Sequence, residues 1–110
     1  MFEKRRYQRM SVSLPVTVRY QGRLLPATMR NISCGGACLH VDSPEVNDLA
    51  SVEIIFDLDD CQRDVSMRGS VVYCAPTTAT KEGITAGIRF SNLFSNGHRV
   101  VQEYLRKNLN

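Results

Sequence analysis

Residues 13–32 read SLPVTVRYQGRLLPATMRNI, and their alternation decides the fold. Leu14, Val16, Val18 and Tyr20 fall on one side, with Ser13, Thr17 and Arg19 on the other. That period of two belongs to a strand with one buried face. Gln21-Gly22 makes a turn, and the chain resumes the same period with Leu25, Ala27 and Met29. Pro26 has no amide hydrogen to give to a ladder, so it marks an edge or a bulge.

Working outward, the pattern recurs four times. Ala37, Leu39 and Val41 follow Gly35-Gly36; beyond the break at Ser43-Pro44 come Val52, Ile54, Phe56 and Leu58. The acidic loop from Asp57 to Asp60 leads to Val65, Met67, Val71 and Tyr73, with Gly69 as a bend. After a polar stretch from Thr77 to Gly83 come Ile84, Ala86, Ile88 and Phe90. Tyr20, Phe56, Tyr73 and Phe90 are in phase with the inward aliphatic residues and read as core. Six such segments, joined by polar turns without helical crossovers, predict an antiparallel sheet closed or nearly closed into a barrel, because closure removes exposed edges.

The period changes only in residues 95–110, SNGHRVVQEYLRKNLN. Val100, Val101, Tyr104, Leu105 and Leu109 recur at helical spacing, Ser95 or Asn96 suits the N-cap, and Arg106 and Lys107 suit the C-terminal dipole. The helix is expected to lie against the barrel or a partner. The fold class is therefore mainly all-β: a six-stranded antiparallel barrel with one C-terminal α-helix. A single domain is expected, with a basic arm over 1–11, the barrel over 12–92 and the helix over 95–108.

The chain has 110 residues, 43% hydrophobic and 23% charged, enough for a core without disulfides or a structural metal. No 18-residue apolar run occurs and Met1 leads into charge, so neither membrane insertion nor secretion is expected, and the location is expected to be cytoplasmic. Cys34, Cys38, Cys61 and Cys74 fall at irregular spacings without a CxxC pair, as buried or half-buried thiols do.

Charge is concentrated at one place. Residues 3–10, EKRRYQRM, carry Lys4, Arg5, Arg6 and Arg9 against Glu3, a net +3 equal to the formal charge of the whole chain. The remainder is balanced, unlike an extended nucleic-acid binder, whose positive charge follows many phosphates. Tyr7 is the one aromatic beside these cations, too little for a base-stacking platform. Arg5 and Arg9, at RxxxR spacing, point to the same side and can bring two guanidinium forks to one small anion.

A second cluster lies in residues 30–39, RNISCGGACL. Asn31, Ser33 and Gly36 form the pattern NxSxxG. Asn31 and Ser33 are expected to alternate onto one face just before a turn, while Gly35 and Gly36 permit positive φ and a close approach of the backbone to a ligand. Arg30 is expected on the opposite face.

No enzyme is indicated. His40 and His98 stand beside no evident nucleophile. Cys38, His40 and Asp42 share a strand face, but same-face neighbours about 6.6 Å apart do not converge on a metal without a strong bend.

Together, RxxxR ahead of the first strand and NxSxxG after the second resemble the PilZ domain, the bacterial receptor module for cyclic di-GMP. SLPVTVRY, NISCGGACL and GIRFSNL followed by the helix extend the resemblance over essentially the whole chain. The resemblance implies that Arg5 and Arg9 grip phosphate and the guanine Hoogsteen edge. It implies that Asn31 and Ser33 read base and phosphate groups and that Gly36 shapes the turn. Arg6, Gly35 and Arg30 are second-rank candidates. Family members carry Asp or Asn at the first position of the second pattern; the amide of Asn31 has one acceptor oxygen where a carboxylate has two.

The expected ligand is cyclic di-GMP, with no cofactor and no metal. The arm holds little apolar content and is expected to be mobile until ligand draws it onto the barrel. With four residues before Arg5 and few after the helix, no fused output domain is expected, so the signal is expected to pass to a separate effector protein or through self-association. A homodimer is left open. The alternative reading is a PilZ-like interaction module that acts without nucleotide.

Overall fold

The computed structural model describes residues 8–42, 46, 50–76, 83–92 and 95–109. Six strands form: β1 (Met10–Tyr20), β2 (Arg23–Ile32), β3 (Gly36–Val41), β4 (Ser51–Phe56), β5 (Val65–Pro76) and β6 (Ile84–Phe90). They close in the order β1-β2-β3-β6-β5-β4, with β4 returning to β1 and every pair antiparallel. The barrel expected from the alternation is therefore closed. Its first hairpin turns on Gln21 and Gly22, whose φ values of 51° and 78° match the right-handed twist of the strands they join.

The interior is the inward half of each strand. Val18, Met29, Leu39, Ile54, Met67 and Val71 are fully buried. Helix α1 (Asn96–Asn108) adds Val101 and Leu105 to the same core. Ser95 is its N-cap, with the hydroxyl accepting from the His98 amide at 3.1 Å. The expected Val101 and Leu105 stripe thus faces the barrel. No helix among the described residues is long and apolar enough to cross a membrane.

Three irregularities break the ladders. Register shifts between Ser11 and Leu14 on β1, between Met29 and Asn31 on β2, and between Val71 and Tyr73 on β5. Each is a bulge, in which one strand spends an extra residue; on β2 and β5, though not on β1, two successive side chains leave the core there. Met29 and Ile32 are both buried, three apart, with Arg30 and Asn31 between them on the outer side. Arg30 therefore does not take the face opposite Asn31.

In β5, Val72 and Tyr73 both leave the interior. Tyr73 is 43% exposed, which corrects its reading as core; the extra residue at Val72 inverts the alternation that placed it inside. Pro26 carries no bulge. It lies beyond the last β2–β3 pair, Ala27 with Val41, where the strand is locally an edge and no amide hydrogen is needed.

Cys34, Cys38 and Cys74 are half-buried and Cys61 is exposed; all four are free thiols. His40 Nε2 lies 3.2 Å from Asp42 Oδ1, whereas Cys38 has a different neighbour, described below. Among the described residues no group of three His, Cys, Asp or Glu is placed to hold a metal.

Candidate functional site

The three bulges share one level of the barrel. Reading across the strands at that level, Ser11 pairs with Asn31, Asn31 with Cys38, Cys38 with Gly87, and Gly87 with Tyr73. The row crosses β1, β2, β3, β6 and β5. Asn31 and Tyr73 stand three strand spacings apart, roughly 14 Å along the sheet, and each is turned outward by its own bulge. Arg9 lies just before β1, two residues from Ser11, and is exposed. Its positive charge reaches Tyr73, where it favours the phenolate.

Other effects on Tyr73 act in the opposite direction and win. Its hydroxyl lies 3.6 Å from Cys38 Sγ. That hydrogen bond, followed by partial burial, raises the phenol above its ordinary value, so Tyr73 is neutral at physiological pH. Its ring lies against Gly87, where a Cβ would stand 2.0 Å from Cε1. The phenol therefore lies flat over Gly87 and reaches β3, so that the Cys38 thiol alone separates its hydroxyl from Asn31 along the row.

The turn that follows β2 is built by its own side chain. The Ser33 hydroxyl accepts from the amides of Gly35 and Gly36, at 3.2 Å each, and Ser33 is 6% exposed. Because β2 ends at Ile32, Ser33 does not continue the alternation, and the expected sharing of a strand face with Asn31 is replaced by a hydroxyl folded into the turn. Gly36 also differs from expectation: positive φ among the described glycines occurs at Gly22 alone. At Gly36 the restriction is space, since a Cβ would lie 2.1 Å from the Ile88 carbonyl oxygen. The close approach is to β6. Gly35 is tied to the same strand, its carbonyl accepting from the Phe90 amide at 2.9 Å.

The structure thus brings Arg9, Arg30 and Asn31 to one end of the face, beside the Ser33–Gly36 turn. Arg5 and Arg6 lie outside the described residues. Tyr73 is the residue that the alternation concealed. The signal was present in Val71-Val72-Tyr73, where an apolar residue out of phase announces a bulge, just as Ile32 does after Met29.

The PilZ domain model matches residues 3–107. The chain belongs to the PilZ domain family. No curated protein sequence matches it, but solved PilZ structures share its fold. The Bacillus subtilis inhibitor of motility, MotI/DgrA, superposes with a TM-score of 0.77 at 18% identity, covering 99% of this chain and 53% of that one. The PilZ domain of YcgR from Escherichia coli, solved with c-di-GMP, gives 0.76 at 14% identity, covering 96% and 91%. PlzA from Borreliella burgdorferi, in complex with c-di-GMP, gives 0.62 at 10% identity, covering 93% and 51%. This PilZ chain therefore spans about half the length of the MotI and PlzA chains. At these identities the likeness is one of fold.

Proposed function

We propose that this PilZ chain is a cyclic di-GMP receptor that changes the conformation of its N-terminal arm on binding and signals through a separate protein partner. The observation that carries the reading is the shared level of the three bulges, which sets Asn31 and the flat-lying Tyr73 ring on either side of Cys38, with Arg9 at the arm. It is supported by membership of the family and by the c-di-GMP bound in the YcgR and PlzA structures.

The chemistry fits a compact ligand with two phosphodiesters and two guanines. Arg5 and Arg9 supply planar donors for phosphate oxygens and for guanine O6 and N7. Asn31 offers an amide to a guanine edge, Arg30 adds a cation beside it, and the neutral Tyr73 ring offers a stacking face. Ser33, with Gly35 and Gly36, holds the turn that positions Asn31. Arg6 would add a third guanidinium able to stack on a base. Nothing in this scheme breaks a covalent bond, and the role is that of a binding module.

The function is tested by titrating c-di-GMP into the protein and following tyrosine emission, with GTP as control; the chain has no tryptophan to mask it. Saturable quenching by c-di-GMP alone is expected. Amide exchange of residues 1–9 in the same samples then tests the arm, which is expected to become protected only with ligand.

A further inference from the structure

Helix α1 is fastened to the Ser33–Gly36 turn by one side chain. His98 lies in phase with Val101 and Leu105, is 5% exposed, and brings Nε2 within 2.8 Å of the Cys34 carbonyl oxygen, 64 residues away in sequence. A carbonyl offers only lone pairs, so Nε2 carries the proton and donates. Cys34 is the residue between Ser33 and Gly35, inside the pattern that shapes the candidate face. The same first turn of α1 is pressed onto β5. A Cβ at Gly97 would stand 2.3 Å from the Ser66 carbonyl oxygen and 3.2 Å from Met67 Sδ.

Besides its own backbone bond from the Ser33 amide to the Gly36 carbonyl at 2.8 Å, the turn has three anchors: the Ser33 hydroxyl within it, the Phe90 amide from β6, and the imidazole from α1. The first two would hold it without a helix. The third makes the helix a participant, because the Cys34 carbonyl cannot move without stretching a partly buried hydrogen bond or carrying the first turn of α1 with it. Such a contact transmits in both directions, since coupling between two sites is reciprocal.

We infer that His98 is a positioning residue of the ligand face and that, through it, occupancy of the face is reported by the seating of helix α1. The inference rests on the proposed ligand for its nucleotide arm, but its mechanical half does not. Ligand at Asn31 and the following turn tightens the Cys34–His98 contact and holds α1 more firmly. Anything that grips or lifts α1 changes affinity at the face.

The test is amide exchange on the full chain for wild type, His98→Phe, which fills the space without a donor, and His98→Gln, which keeps one. Amides of β4 serve as the reference, since ligand that stabilises the whole fold slows them equally. Without nucleotide, His98→Phe is expected to speed exchange at Gly35, Gly36 and Phe90 by about five- to tenfold over β4, with Gln restoring most of it. With saturating c-di-GMP, wild-type Val101 to Leu105 are expected to gain protection beyond that of β4, and the Phe variant to lose that excess while still binding.

Wild-type helix amides that slow no more than β4, or an excess undiminished in His98→Phe, would overturn the inference. If the Phe variant does not fold, the wild-type comparison decides. If wild type binds no c-di-GMP, the receptor reading fails, and the ligand-free comparison alone decides the latch: turn exchange equal in wild type and both variants would refute it.

Discussion

The ring of Tyr73 occupies the space that a side chain at Gly87 would fill, with a Cβ there lying 2.0 Å from Cε1 and 2.4 Å from Cδ1. Glycine at position 87 is thus what lets the phenol lie down along the outer wall and reach Cys38. The clash is with a partly exposed side chain and not with backbone, so relief comes from swinging the ring away. Gly87→Ala is expected to keep the fold and its thermal midpoint while weakening c-di-GMP binding by about 1 to 3 kcal/mol, the worth of one stacked base. Calorimetric binding beside a melting curve checks both halves.

Tyr73 itself separates stacking from hydrogen bonding. Tyr73→Phe keeps the ring and loses the contact with Cys38, so affinity is expected to hold. Tyr73→Ala is expected to lose about 1 to 3 kcal/mol. Equal losses in the two variants would assign the role to the hydroxyl.

Gly36 and Gly22 are expected to fail for different reasons. At Gly36 an added methyl meets the Ile88 carbonyl at 2.1 Å, an atom of the neighbouring strand that cannot rotate away. Gly36→Ala is expected to cost about 1 to 3 kcal/mol by overpacking and to disturb the β3–β6 pair. At Gly22 nothing stands within 4 Å but φ is +78°, so Gly22→Ala is expected to cost about 1 kcal/mol through conformation alone. Denaturant midpoints for the two, with exchange at the β6 amides, distinguish the mechanisms.

Cys34 gives a pH signature. Burial raises its thiol above the ordinary value of 9.0, so the folded state holds this proton more tightly than the unfolded chain. Its contribution to stability is complete below pH 9.0 and is lost as pH rises through the raised value. Stability is expected to fall on the alkaline side, and Cys34→Ala to flatten part of that fall. Alkylation at neutral pH is expected to label the exposed Cys61 ahead of Cys34.

The barrel was legible because strict alternation over six segments has few solutions, and the helix because its period and its Ser95 cap agreed. Arg9 and Asn31 could be named as candidates from residue type and spacing alone, and both are placed on the candidate face. Tyr73 could not be named so, because a bulge changes direction without changing composition, and only the out-of-phase Val72 records it. Ser33 escaped for a related reason: the strand ended one residue earlier than the alternation suggested, which folded its hydroxyl into the turn. His98 shares the spacing of Val101 and Leu105, so its burial was written in the helical period, but its acceptor, a backbone carbonyl far away in sequence, leaves no trace in residue identities.

In the proposed function, the arginines of the arm hold cyclic di-GMP on this face. Isothermal titration of the wild-type protein with c-di-GMP, beside Arg9→Ala and with GTP as control, tests it most directly. Tight wild-type binding that weakens by about 2 to 5 kcal/mol in Arg9→Ala, with an unchanged melting temperature and no heat from GTP, is the expected result. A folded wild-type protein that takes up no c-di-GMP, or an Arg9→Ala variant that binds as tightly as wild type, would contradict it.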